Sequence, residues 1–414
     1  MISILERPAA LCWTGNRLAY TFSHTGESLN DRLQVKAMVW LGSGYVPTPV
    51  VEYPFTTASG AITVPLEKLI DPLLSTDMPL PDAATIGEWQ APDGQIEFYI
   101  LYKRGSDTFW QNDAANAPRL FKGGMGDMRF VPEAEVNKVF ETTSFYPNGS
   151  RFLTYVPDGR AMTPDEYGWL LFACELRYTN ASSLHPELYA QYRVDLINGV
   201  TNTYTRALEG VTGTSFVDGR RWWVPVGLKQ ADIIVSGEQP VRRWTVEIWR
   251  KYKPEGGDWT TEMLASKSFS ADNRPLPGKR LTLYYHNSML GLDHILLRGQ
   301  TEADASVERQ EAGIPLPRAR QGTNVFFDTR IRPRWKGTTG YITKAHAAAL
   351  LGALGTKQAF LLASSEKGKS WLPVRISSTN LKYADTDEPL ASVAIEFETA
   401  GSFQHFPEQI LSLL

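Results

Sequence analysis

Residues 363–370 run from Ala363 through Lys369 and Ser370 in the order of a phosphate-binding loop, with alanine in place of the first glycine. That chemistry needs a helix directly after the Lys-Ser pair, so that its first amides cradle the phosphates. Here Trp371, Leu372, Pro373, Val374, Arg375 and Ile376 follow, a strand-forming run, so the segment is expected to be a hairpin turn without nucleotide affinity. His286, Asp293 and His294 flank a second turn and are residue types that bind metals. Two imidazoles and one carboxylate with no third histidine nearby fall short of a metal set, and the expectation is solvated or hydrogen-bonded turn histidines. His24, His185, His346 and His405 are scattered without pattern. Asp385 and Asp387 share a polar loop, but it lacks the central glycine and closing glutamate of a dedicated calcium site, so a polar turn is expected. No Gly-x-Ser-x-Gly elbow occurs, and no Cys or Ser is bracketed by partners for nucleophilic catalysis. The expected catalytic, metal and cofactor residues are therefore none.

The strongest charge feature is a stripe. Arg330, Arg332 and Arg334 alternate with Ile331, Pro333 and Trp335, which sets three guanidinium groups on one face of a strand, with Arg318, Arg320 and Lys336 near them. Such a face suits contact with a polyanion or with an acidic surface on a neighbouring subunit, and a solvated strand face is the plain alternative. Pro333 lacks a backbone donor, which predicts an edge strand.

The elements around these residues read mostly as strands of period two. Leu18, Tyr20 and Phe22 alternate, as do Val35, Ala37, Val39 and Leu41, and then Ile96, Phe98, Ile100 and Tyr102. A short helix fits 66–74, where Pro72 would break it. Further strands are expected at 169–176, 189–196, 222–226, 241–252, 281–285 and 294–297, with Trp244, Val246 and Ile248 on one face of the fourth and Trp249 on the other. One amphipathic helix is expected from its cap Thr343 to a left-handed stop at Gly355, with Ala347, Leu350, Leu351 and Leu354 as its apolar stripe. It should pack on a sheet built from 358–363, 372–377 and 392–399. In the last of these Val393, Ile395 and Phe397 face one way and Ala394, Glu396 and Glu398 the other.

A Pro, Asn and Gly turn at 146–150, and a stretch between Gly299 and Pro315 where 301–304 and 310–312 interrupt the apolar pattern, place the expected boundaries. The resulting fold class is mainly β, with tandem β-sandwich domains of immunoglobulin or fibronectin type and a C-terminal α+β module. The divisions fall at 1–145, 146–305 and 306–414. At 414 residues the chain is too long for one ordinary core. Its 33 glycines, 26 prolines and 12 tryptophans suit short strands, tight turns and thin aromatic cores. A net charge of -3 gives no global attraction to nucleic acid or anionic lipid, so direct nucleic-acid binding is not expected. No run approaches the roughly 18 apolar residues of a membrane span, and the first eight residues lack the order of a signal peptide. Cys12 and Cys174 sit in apolar runs, where buried free thiols are expected.

The segment 152–157, the hairpin 284–293, and the closing helix with Trp371, Leu372, Pro373, Val374 and Ala394, Ile395, Glu396, Phe397 together resemble tail-associated structural proteins of bacteriophages and prophages. The closing module is similar to domains of distal tail and baseplate proteins. Met289, Leu290 and Gly291 depart from the tighter glycine turn expected in that hairpin. The resemblance implies a structural component of a phage tail tip or baseplate, made in the host cytoplasm and carried in the virion. It implies no catalytic residues, and as partners a homo-oligomeric ring and other tail proteins. Interface residues would then be Arg330, Arg332, Arg334, Trp335 and an exposed Trp249. A carbohydrate- or receptor-binding sandwich is the second reading, since aromatic-rich sandwiches also stack on sugar rings. A glycan hydrolase is the third, because the many carboxylates could include a catalytic pair.

Overall fold

A computed structural model describes residues 2–8, 11–13, 18–40, 44–73, 78–79, 81, 87–88, 96–116, 119–121, 152–174, 187–207, 220–235, 240–252, 257–274, 281–287, 291–314, 323–356, 358–365, 368–378 and 388–401. The architecture is mainly β, as the period-two runs require, and it is organised around three hydrophobic cores. The expected boundary at 146–150 and the Asp385–Asp387 turn lie outside the described residues, as do the side chains of Cys12 and Cys174.

The first core is built from β1 (Ile2–Glu6), β2 (Leu11–Trp13), β3 (Ala19–His24), β4 (Arg32–Trp40), β5 (Tyr45–Pro47), β6 (Val51–Pro54) and β7 (Gly60–Pro65). To these are added α1 (Glu67–Ile70), β9 (Ile96–Arg104), β10 (Gln111–Asn112) and β11 (Arg119–Phe121), with β8 (Gly87–Glu88) lying between in sequence. Strands β1-β3-β7 form one sheet and β2-β11-β9-β4-β5 the other. The inward positions of the two alternate as predicted, and Tyr20 meets Phe98 edge-on across the core with ring centroids 6.3 Å apart. Helix α1 stops one residue before Asp71 and Pro72, where proline removes a donor.

The second core takes β12 (Arg160–Met162), β13 (Trp169–Cys174), β14 (Glu187–Leu196), β15 (Thr201–Ala207), β16 (Arg220–Pro225), β17 (Val241–Tyr252) and β18 (Thr260–Ala271). A five-stranded sheet in the order β12-β18-β17-β14-β15 shares its core with a three-stranded sheet β13-β16-β8. Two of its large buried side chains have their polar atoms satisfied: Trp244 donates to the Val226 carbonyl at 2.9 Å and Tyr192 to the Pro225 carbonyl at 2.7 Å.

The third core lies on one seven-stranded sheet. Its strands are β19 (Leu281–His286), β20 (Leu292–Leu297), β21 (Thr301–Ile314), β22 (Thr323–Thr343), β23 (Ala359–Ser365), β24 (Gly368–Ile376) and β25 (Leu390–Thr399). They run in the order β20-β19-β23-β24-β25-β22-β21. Strands β19 and β20 therefore belong with the C-terminal sheet, and this packing unit begins at Leu281 rather than at 306. The stretch read as an interruption between Gly299 and Pro315 is instead a long strand, β21. It gives no period-two signal because 301–310 is exposed or half-exposed on both faces. The predicted helix is two short turns, α2 (Lys344–Ala349) and α3 (Leu351–Leu354), interrupted at Leu350. Thr343 caps α2 as expected, accepting from the His346 amide at 3.2 Å. The interruption rotates the apolar stripe onto Ala347, Leu350 and Ala353, leaves Leu351 exposed, and lets the second turn end at Gly355 in ordinary right-handed backbone at φ -86°.

The three units are interlocked. Strand β8 joins the second unit's sheet, where Trp222 pairs with Glu88 and Trp223 with Gly87. Trp371 of β24 donates to the Pro79 carbonyl at 2.8 Å and lies edge-on to Trp169 of β13 at 5.2 Å. Among the described residues no helix is long and apolar enough to cross a membrane.

Candidate functional site

The charged stripe lies on β22, and the sheet topology gives that strand two different environments. From Arg334 to Thr343 it pairs with β25, and from Arg334 to Gly337 it also pairs with β21 on its other side. From 323 to 333 its only described partner is β21, which pairs with no other described strand. The hairpin thus continues past the sheet as a two-stranded ribbon, reaching roughly 30 Å at about 3.4 Å per residue. Pro333 sits where pairing to β25 ends, a place that tolerates a missing donor. The predicted edge position is corrected to that extent: β22 has described strands on both sides from Arg334 to Gly337, with β21 alone before Arg334 and β25 alone after Gly337.

Within the stripe the residues separate. Arg334 pairs with Glu398 of β25 at 3.1 Å and stands across from Asp304 of β21, and Lys336 pairs with Glu396 at 2.9 Å. These cations are matched inside their own sheet. Arg330 stands across from Glu308, while Arg332, half-buried, stands across from Ser306, whose hydroxyl donates to the Arg332 carbonyl at 3.5 Å. Trp335 is not a surface anchor. It is 2% exposed and stacks on Phe397 at 5.7 Å, because the alternation that turns the arginines outward turns Trp335 into the third core. Trp249 is half-buried rather than exposed, and its indole donates to Glu247 at 2.9 Å.

The histidines expected to be solvated or hydrogen-bonded at a turn are buried, and His294 lies hydrogen-bonded in a polar junction between the second and third units. Gly168, just before β13, has room only for a hydrogen where the His294 ring passes. Arg160 of β12 donates to Glu166 at 2.6 Å and approaches His294 Nδ1 at 3.4 Å, and all three side chains are buried. A guanidinium only donates, so Nδ1 accepts and the neutral ring carries its proton on Nε2, which lies 3.1 Å from Glu166 without hydrogen-bond alignment. Burial pushes the Glu166 carboxyl up, but Arg160 and the His294 contact outweigh it and hold the group down at about 2. Burial, aided by Arg160, depresses His294 to about 4, so the ring is neutral at pH 7. Beside it Asp293 accepts from Thr154 and from Asn287, and Asn287 also donates to the Leu153 carbonyl at 2.9 Å. His286 is buried too, near Phe360 and the Met78 sulfur. Periodicity had no means of finding this junction, since its members come from loops and strand ends far apart in sequence.

The loop resembling a phosphate binder is the β23–β24 hairpin, closed by the Ser365–Gly368 pair, and the Lys369 ammonium lies over the Tyr167 ring at 3.4 Å. Among the described residues no group of three His, Cys, Asp or Glu side chains is placed to hold a metal.

No protein-family model matches the chain, and no curated protein matches it. Among solved structures, a marsupial T cell receptor is similar at 8% identity over 90% of this chain and 99% of that chain, with a TM-score of 0.16. The native conformation of alpha-2-macroglobulin from E. coli is similar at 8% identity over 96% of this chain and 27% of that chain, with a TM-score of 0.17. Neither likeness is close enough to bear on function.

Proposed function

We propose that the chain is a non-catalytic assembly protein of the phage tail-tip or baseplate kind that its sequence resembles, with tandem sandwich domains carrying a C-terminal α+β module. It acts by self-association into a ring and by contacts with neighbouring tail proteins. The observation that carries this reading is the β21–β22 ribbon. A two-stranded ribbon, here exposed or half-exposed along 301–310 and 329–332, is marginal in water on its own and gains stability when a second surface covers it. Its edges, which pair with no further strand among the described residues, also suit the addition of a neighbouring strand. The test is sedimentation of the full chain beside a variant in which 306–331 is replaced by a tight turn. The parent should form symmetric multimers, the trimmed chain should remain folded with a similar melting temperature, and its mass should fall to that of the monomer. A parent that stays monomeric at tens of micromolar, or a trimmed chain that assembles equally well, would overturn the reading.

A second reading rests on a separate observation. Trp40, Tyr45 and Tyr99 meet edge-on at 5.1 and 4.9 Å, and Trp40 and Tyr45 are exposed, which makes an aromatic platform of the kind that stacks on sugar rings. Saturable glycan binding lost in Trp40→Ala and Tyr45→Ala would favour a carbohydrate- or receptor-binding module.

A further inference from the structure

The junction opens on one side into a cavity of about 410 Å³, walled by Arg160 and Arg274 of the second unit and by Arg298, Thr343 and His346 of the third. Its volume is in the range of pockets that take small organic ligands. The carboxylates around it are already engaged. Glu166 is held by Arg160, Asp272 binds Arg274 at 2.8 Å and also Arg298, and Asp158, at the solvent edge, lies 3.4 Å from Lys267. Hydrogen-bonding capacity is left over. Arg298 Nη2, Arg160 Nε and His346 Nε2 are buried with no hydrogen-bond partner among the described residues, and His346 is only 6% exposed. Leaving such groups unpaired is costly, and an arginine fork is shaped to accept a planar or tetrahedral oxyanion.

We infer that this cavity binds a small-molecule oxyanion, a carboxylate or phosphate group, with Arg298 and Arg274 as its cationic clamp and His346 as a neutral hydrogen-bonding partner. The electrostatics of the walls agree. Burial depresses His346 to about 3, with Arg160 and Arg298 adding to the effect, and burial with Arg160 also weakens the Arg298 cation. A bound anion would relieve that mutual repulsion. The inference does not depend on how the protein assembles.

The experiment is calorimetric titration of the full chain with inorganic phosphate and, separately, with succinate, at ionic strength held constant with chloride, together with the shift in melting temperature. Saturable binding of either probe in the millimolar range or tighter, above the chloride control, is expected, and which probe binds more tightly identifies the oxyanion. Arg274→Gln, at a side chain 74% exposed and so tolerant of change, should weaken binding about ten-fold, the ordinary consequence of losing one charge-assisted contact. Arg298→Lys, which keeps the charge beside Asp272 but removes the spare amino group, should weaken it similarly. Absence of saturation with both probes, or unchanged affinity in the variants, would overturn the assignment. If Arg298→Lys does not fold, Arg274→Gln decides alone.

Discussion

His294 shows how burial alone can turn a surface-looking residue into a structural one. The unfolded chain takes up protons on His294 and His346 as the pH falls through about 6.5, whereas the folded chain resists until about 4 and about 3. Folded-state values depressed in this way give stability that is complete above pH 6.5 and is lost as the pH falls through the window below it. Glu166, held at about 2 instead of 4.5, acts in the same direction further down the scale. Asp293 opposes them, because burial raises its carboxyl and protonation there regains some stability in acid. The expected outcome is a urea midpoint that drops steadily between pH 6.5 and 4, with a shallower slope in His294→Gln. A profile flat down to pH 4.5 would show that the junction does not exclude protons in solution. Trp335 makes a second case at this scale. Its truncation to alanine empties a stacked core site against Phe397 and should cost about 3–5 kcal/mol in chemical denaturation, far more than loss of a surface aromatic.

The hairpin of β21 and β22 is where local pattern and tertiary role part company. Strand β25 was legible because Ala391, Val393, Ile395 and Phe397 are buried and the residues between them are not. Strand β21 was illegible because neither of its faces is buried along 301–310, so no alternation was written into it. The helix was legible at its cap and not at its break, since nothing local to Leu350 forbids continuation and the packing of Leu350 and Ala353 on the sheet sets the turn instead. The arginine stripe was visible as a pattern, but its satisfied members could be known only once Glu396 and Glu398 were brought alongside. That distinction sharpens the test of the stripe. Arg334→Glu sets like charges beside Glu398 and Asp304 and should lower stability by on the order of 1 kcal/mol whatever it does to assembly. Arg332→Glu faces Ser306 and should leave the melting temperature unchanged while weakening association, as read by sedimentation. Unchanged association in that variant would place the interface away from the stripe.

Across the whole molecule, the three cores are distinct but the chain does not divide cleanly between them. Strand β8 reaches into the second unit, Trp371 of the third unit binds the Pro79 carbonyl, and Asn287 binds the Leu153 carbonyl across the junction. Gly291 packs so closely on the Leu153 carbonyl that no side chain fits between them. The boundary read from composition missed this because β21 is exposed or half-exposed on both faces along 301–310, and a strand without a buried face looks like a linker between domains. A fragment cut at 306 therefore loses β19 and β20, and with them Leu281, Leu283, Tyr285, Ile295 and Leu297 from its core. That fragment should be unfolded or molten by circular dichroism and should bind hydrophobic dye. A fragment covering 152–401, which keeps the second and third cores with the junction between them, should unfold in one cooperative transition. The decisive comparison is thermal and urea unfolding of the two fragments together. If the piece beginning at 306 folds as stably as the longer one, the two strands do not belong to its core, and the interlocked arrangement of the units is wrong.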